Sequence, residues 1–485
     1  SGQLAGYSRV GLEPAESVDV DLNWQGELLT SMTYSGAVSG SVSYSYDDFF
    51  YRSSETVSWS GGLRTVNTSY DSDGFLASRG DYSIARAAGT EQQIEARVGD
   101  IRRTTTYNGF GEVTGESYDL VSTAEVLFSE AIVRNDVGQV SEREETFMGT
   151  NQTITYGYDG RRRLIGASAG GVSSAWDYDQ NDNLTGTSHG ASSETFTYNL
   201  ADQLASSSEH AYSYDEKGQL RVRTETGSGS ERGFDYDAAG QLSTVTMEDG
   251  RVIRYILDPF GNRVQRLVDG VETHRWLYDT NRRPVVEYQA ALGTEAYFVY
   301  AGNEYHPAYM VQAGTTYAFV VDKQGNTRAL VDSDSGVVRA AFTYTAFGQL
   351  ADARYFDATG AEAADNDLVS SFGFAGGMVD PDTDMVWLQN RWYMPELGRW
   401  STRDPSFFLS GQWNTYAYSY NNPINFIDTD GRLANVLAGC AIGAAWVGVT
   451  SAALAGLGGS TLYCSLKAGF GGAVGGCIGG ALGPI

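Results

Sequence analysis

A seven-residue cassette recurs along this chain: Tyr-Asp, two spacers, Gly or a polar substitute, one further residue, then Leu or Val. It is clearest at Tyr214-Asp215-Glu216-Lys217-Gly218-Gln219-Leu220 and at Tyr236-Asp237-Ala238-Ala239-Gly240-Gln241-Leu242. Looser copies begin at Tyr70, Tyr107, Tyr158, Tyr178, Tyr198, Leu257, Tyr278 and Tyr344, and from Tyr158 to Tyr278 the steps are 20, 20, 16, 22, 21 and 21 residues. Self-similarity at such a period means one supersecondary unit stacked many times. The chemistry names the unit. Asp bonds its own backbone two residues on, and Gly takes positive φ without strain. Tyr-Asp-x-x-Gly therefore predicts a four- or five-residue hairpin loop on a type I turn, with Gly in the left-handed position. Flanking segments such as Thr195-Phe196-Thr197-Tyr198 alternate with period two, as half-buried strands do. The expected fold is all-β: a spiralling antiparallel array of hairpins. Copies with Asp182, Asp202 or Arg162 in the Gly position are expected to make weaker turns.

Composition agrees. Helix signals are nearly absent before residue 430, and 31 tyrosines suit sheet faces where the ring packs and the hydroxyl stays wet. The net charge of −27 excludes long-range attraction to nucleic acid or anionic lipid. The chain begins with Ser and shows no cleavable leader, so it reads as a fragment or a processed piece.

The tandem cassettes resemble the YD-repeat, or Rhs, family. The resemblance is most specific near the C-terminal end. It is carried by Phe372-Gly373-Phe374-Ala375-Gly376-Gly377, Leu388-Gln389-Asn390-Arg391-Trp392-Tyr393, Pro395-Glu396-Leu397-Gly398-Arg399-Trp400 and Arg403-Asp404-Pro405. Asn414-Thr415-Tyr416-Ala417-Tyr418, Asn421-Asn422-Pro423 and Asp428-Thr429-Asp430-Gly431 complete it. This string is similar to the Rhs-associated core that closes such shells. The resemblance implies a hollow cocoon of repeats over residues 1–369, a core over 370–433, and an enclosed C-terminal peptide over 434–485 that is cut free. It also implies a secreted or cell-surface bacterial protein, with a secretion machine or an N-terminal shell piece as partner. A non-catalytic secreted or surface scaffold of the same fold, used for adhesion, is the competing reading.

Asp404 and Asp428 stand at the Asp positions of the family's paired Asp-Pro-x-Gly motifs. The resemblance makes them an aspartyl-type self-protease acting once in cis. Two close carboxylates disfavour double ionisation, so one stays protonated as acid while the other activates water. Arg403 is expected to steer the scissile carbonyl or hold one carboxylate ionised. The cut is expected between Leu433 and Ala434, with Arg432–Leu433 second. Thr429, Phe407 and Arg432 depart from the family pattern. The alternative is that both aspartates cap turns, Asp404 ahead of Pro405.

Residues 434–485 contain one charged residue, Lys467, and all three cysteines, Cys440, Cys464 and Cys477. Asn435 to Leu457 is long and apolar enough to cross a bilayer, and Gly472, Gly476 and Gly480 recur at the four-residue step of close-packed membrane helices. The tail reads as a helical hairpin with a target membrane as partner, as a leader to a further toxin domain, or as filler packed within the shell. No cofactor or metal is expected. Asp71-Ser72-Asp73-Gly74 reads as a turn rather than a calcium loop, Asp380-Pro381-Asp382-Thr383-Asp384 as a solvated turn, and His189, His210, His274 and His306 lack ligand spacing.

Overall fold

The computed structural model describes residues 5–11, 16–60, 62–302, 304–406 and 412–432, with the backbone of 435–436. Each cassette forms the turn that its residues dictate. The Asp215 carboxylate accepts the N–H groups of Lys217 (2.9 Å) and Gln219 (2.8 Å), while Gly218 N–H donates to Asp215 O and Asp215 N–H to Gln219 O. Gly218 lies at φ 80°, and the strand register shifts between Ser213 and Tyr214, a bulge that recurs in most copies. The copies without Gly adopt the same left-handed residue: Arg162 at φ 68°, Asp182 at 62° and Asp202 at 57°. Such a residue costs roughly 1–2 kcal/mol, and two of them offset it laterally. The Asp182 carboxylate accepts from Arg161 and Arg163 of the preceding turn, and that of Asp202 from Asn181 and Asn183.

The cassette tyrosine joins one hairpin to the next. Its hydroxyl donates to the backbone carbonyl at the Leu/Val position of the preceding cassette: Tyr158 to Val140 (2.6 Å), Tyr178 to Leu164 (2.8 Å) and Tyr198 to Leu184 (2.6 Å). Tyr278 reaches Arg263 O and Tyr300 reaches Pro284 O in the same way. A Phe there would fill the space and leave a half-buried carbonyl unpaired.

Strands pair antiparallel with their neighbours in the chain. Among the described residues this gives an 18-stranded sheet from Gly6–Arg9 to Ser192–Thr195, then a 17-stranded sheet from Thr197–Tyr198 to Glu362–Ala363. The array closes on itself as a spiral. Arg9 donates to Asp258 O, the Tyr44 hydroxyl accepts from Thr280 N–H, the Tyr309 hydroxyl from Asp81 N–H, and Asp100 N–H donates to Ser333 O. Arg328 grips Glu145 with two hydrogen bonds of 2.7 and 2.9 Å, both side chains buried. The inner faces share one apolar cluster running from Val18 to Ile424. The pockets that stand out are an open groove of about 570 Å³ beside Thr106, Ser129 and Thr146, and two of about 30 and 20 Å³.

After Ala363 the pattern changes. A four-stranded sheet, Met378–Val379, Val386–Leu388, Arg391–Met394 and Arg399–Trp400, is joined by short 3-10 turns. Its aromatic nucleus packs Phe374, Tyr393, Trp400 and Tyr418, all buried. This segment seats on the hairpin loops. The carbonyl of the left-handed residue in four successive cassettes receives a donor from it: Arg162 from Asn422, Asp182 from Asn421, Asp202 from Arg399 and Gly218 from Tyr416. Asp380 departs from the solvated turn expected of it. It is fully buried, holds Arg266 Nε at 2.8 Å and accepts the Tyr255 hydroxyl at 2.8 Å.

Among the described residues no helix is long and apolar enough to cross a membrane. The tail read as helical lies outside the described residues, apart from Asn435–Val436. These two pair antiparallel with Phe426–Ile427 as a short strand.

Candidate functional site

Asp404 and Asp428 meet at one buried guanidinium. Arg391 Nη2 lies 3.3 Å from Asp404 Oδ2 and 3.2 Å from Asp428 Oδ2. All three residues are buried, between 3% and 5% exposed. The remaining Arg391 nitrogens are also used: Nε donates to Gly431 O and Nη1 to Thr415 O, and the guanidinium lies 4.0 Å from the Trp400 ring centroid. One side chain thus ties together the segments around residues 404, 415 and 428–431.

The backbone explains the convergence. Leu388-Gln389-Asn390-Arg391 is a tight hairpin with Gln389 at φ 50°. Asn390 Nδ2 donates to Asp430 O at 2.7 Å, so consecutive side chains of the hairpin hold consecutive carbonyls of the second Asp motif. Gly431 permits the approach. It lies at φ 70°, and a Cβ there would stand 2.8 Å from Leu388 O and 3.1 Å from Arg391 N. Asp404 N–H donates to Thr415 O (3.0 Å), and the Asp404 carboxylate accepts Ser406 N–H at 2.7 Å.

Electrostatics act strongly on Asp428. Burial pushes the Asp428 carboxyl up to about 7, against the opposing pull of Arg391, with Asp430 and Asp404 adding like charge. Burial also lowers Arg391 from the ordinary guanidinium range, while both aspartates work to raise it. Beside the pair, Asp428 Oδ1 accepts Arg432 N–H at 3.1 Å, and Ser406 Oγ lies 3.2 Å from Arg432 O. Two neighbouring carboxyl groups beside backbone N–H and C=O groups are the kind of arrangement on which acid–base chemistry is built.

The sequence reading brought Asp404 and Asp428 together; the structure adds Arg391, which that reading did not single out. Arg403 points elsewhere: a Cβ on Gly218 would lie 2.5 Å from its Nε. Leu433, Ala434 and Phe407 lie outside the described residues.

The family model described as Teneurin YD-shell matches residues 11–424. The chain belongs to the YD-shell family. The shell is 30% identical to the tRNA3(Ser)-specific nuclease WapA of Bacillus spizizenii over 189 residues, 38% of this chain and 8% of that protein. It is 31% identical to salivary gland surface protein 1 of Aedes aegypti over 139 residues, 28% of this chain and 4% of that one. The crystal structure of TcdB2-TccC3-TEV matches 86% of this chain at TM-score 0.60 and 15% identity, over 23% of its own length. The chain therefore spans a small part of the relatives it matches, and at this identity the structural likeness shows the fold alone.

Proposed function

We propose that this YD-shell cuts its own chain at the buried Asp404–Asp428 pair and so frees the polypeptide that follows. The observation that carries this is the placement of two carboxylates on one Arg391 nitrogen, beside the backbone of Arg432. Asp428 is the acid and Asp404 the base. Arg391 holds both in place. Phe426–Ile427 and Asn435–Val436 pair antiparallel on either side of the proposed cut. The freed piece begins with the apolar run that opens at Asn435, which water would tolerate poorly. We propose that the shell shields it until release and that its destination is a membrane. We place the chain outside the cell or at its surface, in line with the surface protein it is similar to.

The test is a denaturing gel with intact-mass analysis of the full chain. A cut after residue 432 or 433 is expected in the unaltered protein. Asp428→Asn should leave the chain whole, with the rate lowered at least 10³-fold, because proton transfer and charge placement are lost together. The rate should also fall as pH rises through about 7, where Asp428 loses its proton, by about tenfold per further unit. An uncut chain in the unaltered protein would instead assign it as a non-catalytic scaffold. Leakage of vesicles exposed to the freed piece tests its destination, and intact vesicles would remove that part of the proposal.

A further inference from the structure

Arg282 is the residue through which the array reaches the hairpin that carries Arg391. It fills the Gly position of its cassette, Tyr278-Asp279-Thr280-Asn281-Arg282, and lies at φ 61°. Gly261 holds the same place in the copy before it. A bulky residue kept in a strained backbone region points to a task for its side chain. Arg282 Nε donates to Asn262 Oδ1 at 2.9 Å, and Asn262 Nδ2 is itself fixed on Asp258 Oδ2 at 2.8 Å. That bond is lateral, from one cassette to the one before, like those at Asp182 and Asp202. The other two nitrogens leave the array. Nη1 donates to Asn390 Oδ1 at 2.8 Å and Nη2 to Gln389 O at 3.0 Å.

These two contacts decide how Asn390 is set. A side-chain amide has an acceptor at one end and donors at the other. With Arg282 on its oxygen, Asn390 turns its Nδ2 to Asp430 O at 2.7 Å. The next residue, Arg391, reaches Gly431 O, Asp404 and Asp428. Gln389 Nε2 also donates to Asn281 O at 3.4 Å, so the cassette grips the hairpin at two consecutive residues. The route from the array to the carboxylates is therefore short: Asp258, Asn262, Arg282, then the hairpin. A guanidinium suits the task because its planar fork aims several donors at once, which a compact ammonium does not.

We propose that Arg282 is a positioning residue for the self-cleavage reaction, on which this inference rests, and that it makes the working geometry of Asp404 and Asp428 depend on the folded array. The residue touches neither carboxylate. It acts through Asn390 and the hairpin backbone, which set Asp430, Gly431 and Arg391. Where the cassette Asp279–Arg282 has not folded, the hairpin lacks this anchor and the pair is not held for reaction. The chain is thus cut only once this part of the wall stands.

Brief cell-free synthesis of the full chain, followed by a chase on denaturing gels, tests the assignment through the loss of intact chain. Gly suits a positive φ, so Arg282→Gly keeps the turn and removes only the side chain. It should slow cleavage about 10²-fold, the effect of a small misplacement of reacting groups. Guanidinium ion added during the chase, below concentrations that unfold the protein, should recover much of the rate; sodium at the same ionic strength should not. Cleavage of Arg282→Gly at the ordinary rate, with Asp428→Asn still whole, would overturn the role of Arg282 and leave the pair standing. Slow cleavage that guanidinium leaves slow would assign Arg282 to folding alone and overturn its role equally. An unaltered chain that stays whole would overturn both.

Discussion

The repeat array and the closing segment solve the same problem in opposite ways. In the array each hairpin satisfies itself: an Asp carboxylate caps its own loop, and a Tyr hydroxyl binds the hairpin before it. In residues 370–432 local turn bonds are joined by side chains that reach distant stretches of chain. Arg391 draws on three separate stretches of chain, and the Asn, Arg and Tyr side chains of this segment answer carbonyls that the hairpin loops leave open. Local closure gives a tolerant scaffold. Long-range closure brings two carboxylates from distant stretches of chain onto one guanidinium.

The contrast can be broken most severely at Arg391. Arg391→Met leaves Asp404 and Asp428 buried without a counter-charge, a loss of about 3–5 kcal/mol. Tryptophan fluorescence during equilibrium denaturation should report it, since Trp387, Trp392 and Trp400 lie in this segment. An unchanged midpoint would mean that the carboxylates do not depend on the guanidinium. A smaller effect separates two loops of the array itself. Gly218 and Gly250 share a positive φ, 80° and 88°, but a Cβ on Gly218 would meet Arg403 and the Tyr416 hydroxyl, whereas one on Gly250 meets nothing within 4 Å. Gly218→Ala should therefore cost about 2–4 kcal/mol and Gly250→Ala about 1 kcal/mol. Equal losses would show that the segment does not bear on the loops. The smallest change is Tyr178→Phe, which removes one hydroxyl clamp and should cost about 1 kcal/mol. Hydrogen exchange should localise it to the strands Leu164–Ala169 and Val172–Tyr178. Loss of exchange protection throughout the array would instead mean that the clamps act together.

How much of this the sequence disclosed follows the same division. The turn is written in seven contiguous residues, so Asp215, Gly218 and their counterparts could be read directly, left-handed residue included. The hydroxyl clamp was half legible. Thirty-one tyrosines pointed to rings with wet ends, but the acceptor of each hydroxyl belongs to the neighbouring hairpin. The compensation at Asp182 and Asp202 was missed for that reason, because their partners Arg163 and Asn183 sit one cassette earlier. Asp404 and Asp428 were found through their motif. Arg391 was not, because it lies within an aromatic string that reads as packing, and its role appears only when the hairpin at Gln389 turns it inward. Arg403 drew attention by adjacency to Asp404, which says little where side chains alternate in direction. Asp380 was misjudged because its partners, Arg266 and Tyr255, are more than a hundred residues away.

The donors that run along the closing segment also work as a gauge. Asn422, Asn421, Arg399 and Tyr416 each claim one loop, in an order fixed by the geometry of the segment itself. One hairpin more or fewer between Arg162 and Gly218 would shift every later claim by two strand spacings, about 10 Å, far outside bonding reach. Evolution can rewrite the letters of these hairpins freely, but over this stretch it has no freedom to change how many there are.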